Sequence, residues 1–163
     1  MTSLEVIGAG LGRTSTASLQ LALNKLGYKT AHMESVMIYN QFDDWIRVNQ
    51  LDESTDLAEI ERILARVLNG FTASCDNPSC AFFIELMKMN PNAKVILTVR
   101  DTPEAWAKSA SDTIMRIIYE SWFANATLAK SLVWFPLLGR FIKLKTLGRV
   151  SFERTAVGGE IDF

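Results

Sequence analysis

The sequence predicts an α/β domain with a mostly parallel sheet of about four strands flanked by helices in three layers. Three observations predict it. Apolar or β-branched runs recur near residues 4–7, 29–33, 71–75 and 94–99. The stretches between them carry apolar residues at helical spacing. The run ends carry a glycine-rich loop, His32, Asp76 and Arg100, and open parallel sheets bind ligands beyond the carboxyl ends of their strands. With right-handed crossovers the four run ends converge on one cleft. At 163 residues the chain is long enough for one domain with its own core. Residues 1–163 are read as a single unit with its core in 4–120; residues 121–163 are read as a helical lid or peripheral segment with a loose tail.

The first run, with Leu4, Val6 and Ile7, leads into Gly8-Ala9-Gly10-Leu11-Gly12-Arg13-Thr14-Ser15-Thr16. A strand that ends in glycines and hydroxyl residues before a helix presents backbone N–H groups to an anion. Three templates compete for this loop. The dinucleotide pattern G-x-G-x-x-G meets Arg13 where its third glycine belongs, and Glu34 is late for the ribose acid. The triphosphate pattern G-x-x-x-x-G-K-[ST] meets Ser15 and Thr16 where glycine and lysine belong. The third keeps the geometry, places the cation in the loop as Arg13 and omits the metal. A glycine-rich turn that binds nothing is the plain alternative. Thr14, Thr16 and Ser18 carry hydroxyls that can face a bound group.

The helix that follows has Leu19, Ala22, Leu23 and Leu26 on one stripe, and Gly27 stands where a glycine ends a helix. Lys29 to Met33 reads as a short strand ending at His32, the single histidine, and Glu34 to Gln50 as short helices over the site. Leu57, Ile60, Ile63, Leu64, Val67 and Leu68 follow helical spacing up to Asn69-Gly70. Phe71-Thr72-Ala73-Ser74-Cys75 reads as a buried strand, which Pro78 cannot continue. Ala81 to Met89 reads as a helix with Phe82, Leu86 and Met89 on one side. Lys94-Val95-Ile96-Leu97-Thr98-Val99 is continuous and β-branched, the pattern of a strand buried on both faces. Thr102 as N-cap, Pro103 at the first position and Glu104 in the first turn then open a long helix.

Composition sets the outer limits. Seventeen basic and eighteen acidic side chains leave a formal charge of −1, which points to no nucleic-acid partner. Lys130, Arg140, Lys143, Lys145, Arg149 and Arg154 make the late segment basic, the pattern of a solvated face, with a phosphate or membrane contact as the rarer alternative. Cys75 and Cys80, without a histidine cluster, fit no structural zinc pattern, so no metal is expected and the thiols read as reduced. No run reaches the roughly 20 apolar residues of a membrane span, and no secretory leader is seen; the expectation is a cytoplasmic protein.

Taken together, Val6-Ile7-Gly8-Ala9-Gly10-Leu11-Gly12-Arg13-Thr14, His32-Met33, Asp76-Asn77-Pro78-Ser79-Cys80 and Lys94-Val95-Ile96-Leu97-Thr98-Val99-Arg100-Asp101, with Trp106 and Ser109 behind, resemble the P-loop sulfotransferases. The resemblance runs from about residue 5 to about residue 115. It implies a P-loop nucleotide-kinase-like fold and transfer of a sulfuryl group from 3′-phosphoadenosine 5′-phosphosulfate (PAPS) to a small acceptor, without a metal. It also implies that Gly12, Arg13, Thr14, Ser15, Thr16 and Ser18 hold the 5′-phosphosulfate, and Arg100 with Ser109 the 3′-phosphate. An ion pair with Asp101 or Glu104 is the alternative for Arg100.

Asp76 is the expected general base, Arg13 the stabiliser of the leaving phosphate and His32 the second candidate base; a turn or N-cap role is the alternative for Asp76. His32, Met33, Phe82 and Trp106 are the acceptor-side candidates, although aromatics at helical spacing are equally core residues. Ser15 stands where the family loop has glycine, so a positive φ there would carry a Cβ cost. The short chain lacks the family's further strand, and an open sheet edge invites homodimerisation, as does the aromatic late segment. Two other functions stay open: a truncated or degenerate relative that binds nucleotide or a partner without turnover, and an NAD-dependent oxidoreductase.

Overall fold

The computed structural model describes residues 3–52, 54–120, 143–144, 146–148 and 151. Four parallel strands, β1 (Val6–Gly8), β2 (Thr30–Ala31), β3 (Ala73–Ser74) and β4 (Lys94–Ile96), form one sheet in the order β2-β3-β1-β4. Val6 pairs with Ala73 on one side and with Lys94 on the other. The α/β class and the parallel sheet are as expected. The strand at 71–75 narrows to two paired residues, because the turn at Asp76 begins directly after Cys75.

The burial expected of β4 is not found. β4 lies at the edge of the sheet and takes in only Lys94–Ile96 of the expected run; Val95 within it and Leu97 and Val99 beyond it are 41%, 64% and 71% exposed. A continuous β-branched run fits an edge strand as well as a central one; neighbours decide which, and pattern alone carries no neighbour information.

The helices are α1 (Thr16–Lys25), α2 (Met33–Ile38), α3 (Phe42–Asn49), α4 (Leu57–Val67), α5 (Phe83–Met89) and α6 (Pro103–Ala110). Gly27 ends α1 as anticipated: at φ 94° its N–H donates to the Asn24 carbonyl while Tyr28 N–H donates to Leu23. That pair of bonds satisfies carbonyls the helix leaves open. Leu23 is buried, whereas Leu26 is 75% exposed, so the stripe is narrower than its spacing implied. The helix stops one residue before Leu26 and the chain turns away there.

In α4, Ile60, Ile63, Leu64 and Val67 are all buried, the i, i+3, i+4, i+7 stripe of an amphipathic helix. They join Ile7, Phe42, Trp45, Val48, Phe82, Leu86 and Leu147 in the main core, where each fully buried aliphatic contributes about 1.5–3 kcal/mol. Residues Ser79–Phe82 form a 3-10 turn ahead of α5, so the predicted helix starts later and less regularly than its spacing suggested. Thr102 caps α6, its Oγ1 accepting from Ala105 N–H at 3.1 Å with Pro103 in the first turn, and the helix runs on as a π-helical stretch to Glu120. Trp122, Phe123, Trp134 and Phe135, aromatics of the segment expected to pack or form a lid, most of the basic late segment and the tail lie outside the described residues.

Candidate anion and acid–base site

Because β1 lies between β3 and β4, the loop that leaves it emerges between the carboxyl ends of both neighbours. Such a switch point is where open sheets form ligand crevices. Close approach explains the loop glycines. A Cβ on Gly10 would lie 2.0 Å from Thr98 Oγ1 and 2.6 Å from the Thr98 carbonyl oxygen. One on Gly12 would lie 3.1 Å from Asp76 Oδ1 and 3.2 Å from Asn77 Oδ1.

The left-handed positions of the loop are instead Arg13 (φ 74°) and Ser15 (φ 71°). The positive φ anticipated at Ser15 is thus present, and with it a cost of roughly 1–2 kcal/mol for a side-chain-bearing residue. Left-handed residues in alternation curl successive N–H groups towards one point, a concavity suited to an anion. Ser15 makes no side-chain cap and the first turn of α1 has no acidic residue, so the helix N-terminus keeps its positive end.

Two guanidinium groups complete the same region. Arg13 Nε donates to Ser109 Oγ at 3.2 Å, and an Arg100 terminal nitrogen donates to the same oxygen at 3.3 Å. Arg100 Nε also donates to the Arg13 carbonyl at 2.8 Å, tying the segment after β4 to the loop. Among the described residues neither arginine forms an ion pair, so the Asp101 or Glu104 alternative for Arg100 is not what the structure holds. Glu104 is engaged locally: hydrogen bonds from its own backbone N–H and from Thr102 hold its carboxyl below the usual range. Two like charges that share a hydroxyl and lack an acid form an electropositive focus, and guanidinium forks match phosphate and sulfate oxygens.

The loop hydroxyls point elsewhere than anticipated. Thr14 Oγ1 donates to the Leu11 carbonyl at 2.6 Å and lies 2.8 Å from Thr98 Oγ1. Thr16 Oγ1 donates to Asp76 Oδ1 at 3.1 Å. Both threonines are buried and their hydroxyls brace the loop; the Thr14 N–H is also engaged, donating to the Leu11 carbonyl at 3.2 Å, and the N–H groups of Arg13, Ser15 and Thr16 are what the loop offers an anion. Ser18 is exposed in the first turns of α1.

The two candidate bases lie together. His32, just before α2, places Nε2 3.2 Å from Asp76 Oδ2, and the two side chains are 15% and 11% exposed. Asp76 itself stands at φ 70° directly after Cys75. Its carbonyl serves the turn, accepting from Cys80 N–H and from Ser79 Oγ, both at 3.0 Å. The carboxylate faces Thr16 and His32. Burial, and then the charge of Asp76, push the Cys75 thiol up to about 12; the same two causes, in that order, raise Cys80. Both cysteines are free, buried and protonated, which suits packing and not nucleophilic attack.

A cavity of about 10 Å³, room for a water molecule, lies beside His32 and is lined by Ala31, Ser35, Val36, Gln41, Trp45, Leu68, Pro78 and Ser79 as well. Of the acceptor-side candidates, His32 lines it. Met33 is half-buried against the main core. Phe82 is wholly buried, its ring 6.1 Å from that of Trp45, and has no surface to offer an acceptor. Its place on the inner face of the 3-10 turn made it core. Trp106 Nε1 donates to the Gly12 carbonyl at 3.0 Å, a backbone role that residue type alone does not announce.

Asn77 was missed as well: Gly12 N–H donates to its Oδ1 at 3.1 Å, and its Nδ2 donates to Ser151 Oγ at 2.9 Å. Its position one residue past Asp76 at a strand end was the available signal. Among the described residues no cluster of His, Cys, Asp and Glu could hold a metal, and no helix is long and apolar enough to cross a membrane.

Comparison with known proteins bears on the same segments. The Ava biosynthesis cluster protein M of Aspergillus versicolor is 26% identical over 165 residues, an alignment covering 98% of this chain and 63% of that protein. The chain therefore spans less than two thirds of that relative's length. The sulfotransferase domain family matches residues 5–156, which takes in the loop, the strand end at Asp76, β4 and α6. The chain belongs to the sulfotransferase domain family.

Proposed function

We propose that the chain catalyses sulfuryl transfer from PAPS to a hydroxyl or amine of a small, apolar acceptor. When bound, PAPS supplies the sulfuryl group and a phosphate leaving group. The observation that carries the reading is the convergence of Arg13 and Arg100 on Ser109 Oγ with no acid paired to either among the described residues. That donor set fits the nucleotide's two anionic ends: the Arg13 side chain with the N–H groups of Arg13, Ser15 and Thr16, extended by Ser18, for the 5′ end, in a loop that Gly12 and Thr14 hold in shape through N–H bonds to Asn77 Oδ1 and the Leu11 carbonyl, and Arg100 with Ser109 for the 3′-phosphate.

Arg13 stabilises charge that grows on the leaving oxygen, a task for preorganised donors. Asp76 takes the proton of the acceptor, and His32 at 3.2 Å orients the carboxylate or shares that proton. Thr16 steadies the other carboxylate oxygen. Binding without turnover is the second reading, favoured by the engagement of both Asp76 oxygens within the protein. The exposed β4 edge is the place for the self-association read from the sequence.

The test is product mass. PAPS and a panel of small apolar alcohols and amines are incubated with the protein and with Asp76→Asn, expecting sulfated product only with the former. Product formed equally by both would remove Asp76 from the mechanism, and nucleotide binding without product across the panel would favour the second reading.

A further inference from the structure

Gly12 is gripped on both sides of its residue. Its N–H donates to Asn77 Oδ1 at 3.1 Å and its carbonyl accepts from Trp106 Nε1 at 3.0 Å. These partners come from opposite flanks of the crevice, one from the turn after β3 and one from α6. Asn77 is itself anchored, because its Nδ2 donates to the fully buried Ser151 hydroxyl at 2.9 Å. The Gly12 N–H, which can only donate, settles the orientation of the amide: a flipped Asn77 would turn its NH2 against it, whereas the Ser151 hydroxyl can meet either end.

The glycine is also seated tightly, since a Cβ at this position would lie 3.1 Å from Asp76 Oδ1. Gly12 directly precedes Arg13, and Asn77 directly follows Asp76. One hydrogen bond therefore sets the spacing between the residue proposed to meet the leaving phosphate and the residue proposed to take the acceptor proton.

We infer that Asn77 and Trp106 are positioning residues, a two-sided clamp on Gly12 that fixes Arg13 relative to Asp76. The catalytic part of this inference rests on the sulfuryl-transfer reading; the clamp itself does not. In-line transfer places donor and acceptor on opposite sides of the moving group, so an error of about 1 Å between their holders costs roughly 100-fold in rate. Neither clamp residue needs to touch the substrate for its loss to register. The polar ends of Asn77 are consumed by Gly12 and Ser151. The Trp106 indole N–H is directed at the loop carbonyl.

The test uses Trp106→Phe, which removes the donor and keeps a ring on a half-buried helix face, and Asn77→Ala, which removes the acceptor. Amide hydrogen exchange of the whole chain, with no nucleotide added, is read at Gly12 and Arg13 against Ile63 and Leu64 in the core. The clamp predicts exchange about tenfold faster or more at Gly12 and Arg13 in Trp106→Phe, with the core amides unchanged. Unchanged exchange at Gly12 in Trp106→Phe would overturn it, whatever Asn77→Ala does to folding.

Steady-state kinetics then separate positioning from binding. The clamp predicts kcat lowered about 10- to 100-fold with KM for PAPS within about threefold. Equal kcat in Trp106→Phe and the unaltered chain would overturn the positioning role. Faster exchange in a protein that neither binds 3′-phosphoadenosine 5′-phosphate nor forms product would uphold the clamp and reject the sulfuryl-transfer reading.

Discussion

Ser15 holds a Cβ at φ 71° without using its hydroxyl as a cap, so its side chain costs conformational energy and returns no local bond. Ser15→Gly is expected to stabilise the chain by about 1 kcal/mol. For a domain of this size that raises the thermal midpoint by roughly 2–4 °C, read by circular dichroism; an unchanged or lower midpoint would show that the serine is supported in a way the loop geometry does not reveal. Ser15 was legible because its neighbours resemble a loop with glycine there. The equal φ at Arg13 was not, since arginine has no preference for that conformation and only the packed loop imposes it. The same holds for Asp76 and His32: each was a candidate base in the sequence, but their 3.2 Å separation arises from β2 and β3 lying side by side. If Asp76 is the base, Asp76→Asn lowers kcat by about 10²–10⁴-fold, the span of general-base catalysis, and His32→Gln lowers it less. Measured kcat values in the reverse order would exchange their roles.

At the scale of elements, loop and strand meet without spare room. Gly10→Ala forces a methyl group to 2.0 Å from Thr98 Oγ1 and 2.6 Å from its backbone oxygen. The hydroxyl can turn away, but the backbone oxygen moves only with β4, so the loss of stability is expected at the upper end of the 1–3 kcal/mol seen for overpacking, or beyond it. A urea midpoint equal to that of the unaltered chain would mean that β4 yields freely. Helices were read well where the signal is local: the stop at Gly27 and the cap at Thr102 are interactions among residues a few positions apart. The exposure of Leu26 and of Val95, Leu97 and Val99 was not legible, because it depends on which elements lie alongside. Thr98 shows the same limit. It lies two residues past the end of β4, and only the strand order brings it against Gly10 and Thr14.

Cys75 and Cys80, which flank the turn at Asp76 in the chain, are both buried. Burial lifts Cys75 from 9.0 to about 12 in the folded chain. The folded state therefore holds the thiol proton more tightly than the unfolded state does. That contribution to stability is complete below about pH 9 and is lost as pH rises through about 12. Urea midpoints are expected to fall between about pH 9 and about pH 11, and to fall less steeply in Cys75→Ala; parallel slopes would assign the alkaline loss to other groups.

At this scale the sequence disclosed the order of the segments, and that order was enough to place the loop, Asp76 and Arg100 at neighbouring strand ends. It did not disclose the bracing by Asn77, Thr98 and Trp106, whose polar atoms meet backbone groups far away in the chain. The central claim is that Arg13, Arg100 and Ser109 form the seat of a nucleotide bearing two anionic ends. Calorimetric titration of the chain and of Arg100→Ala with 3′-phosphoadenosine 5′-phosphate tests it most directly. The account predicts saturable binding by the chain and at least about tenfold weaker binding by Arg100→Ala; no heat from the chain, or equal affinity in both, would contradict it.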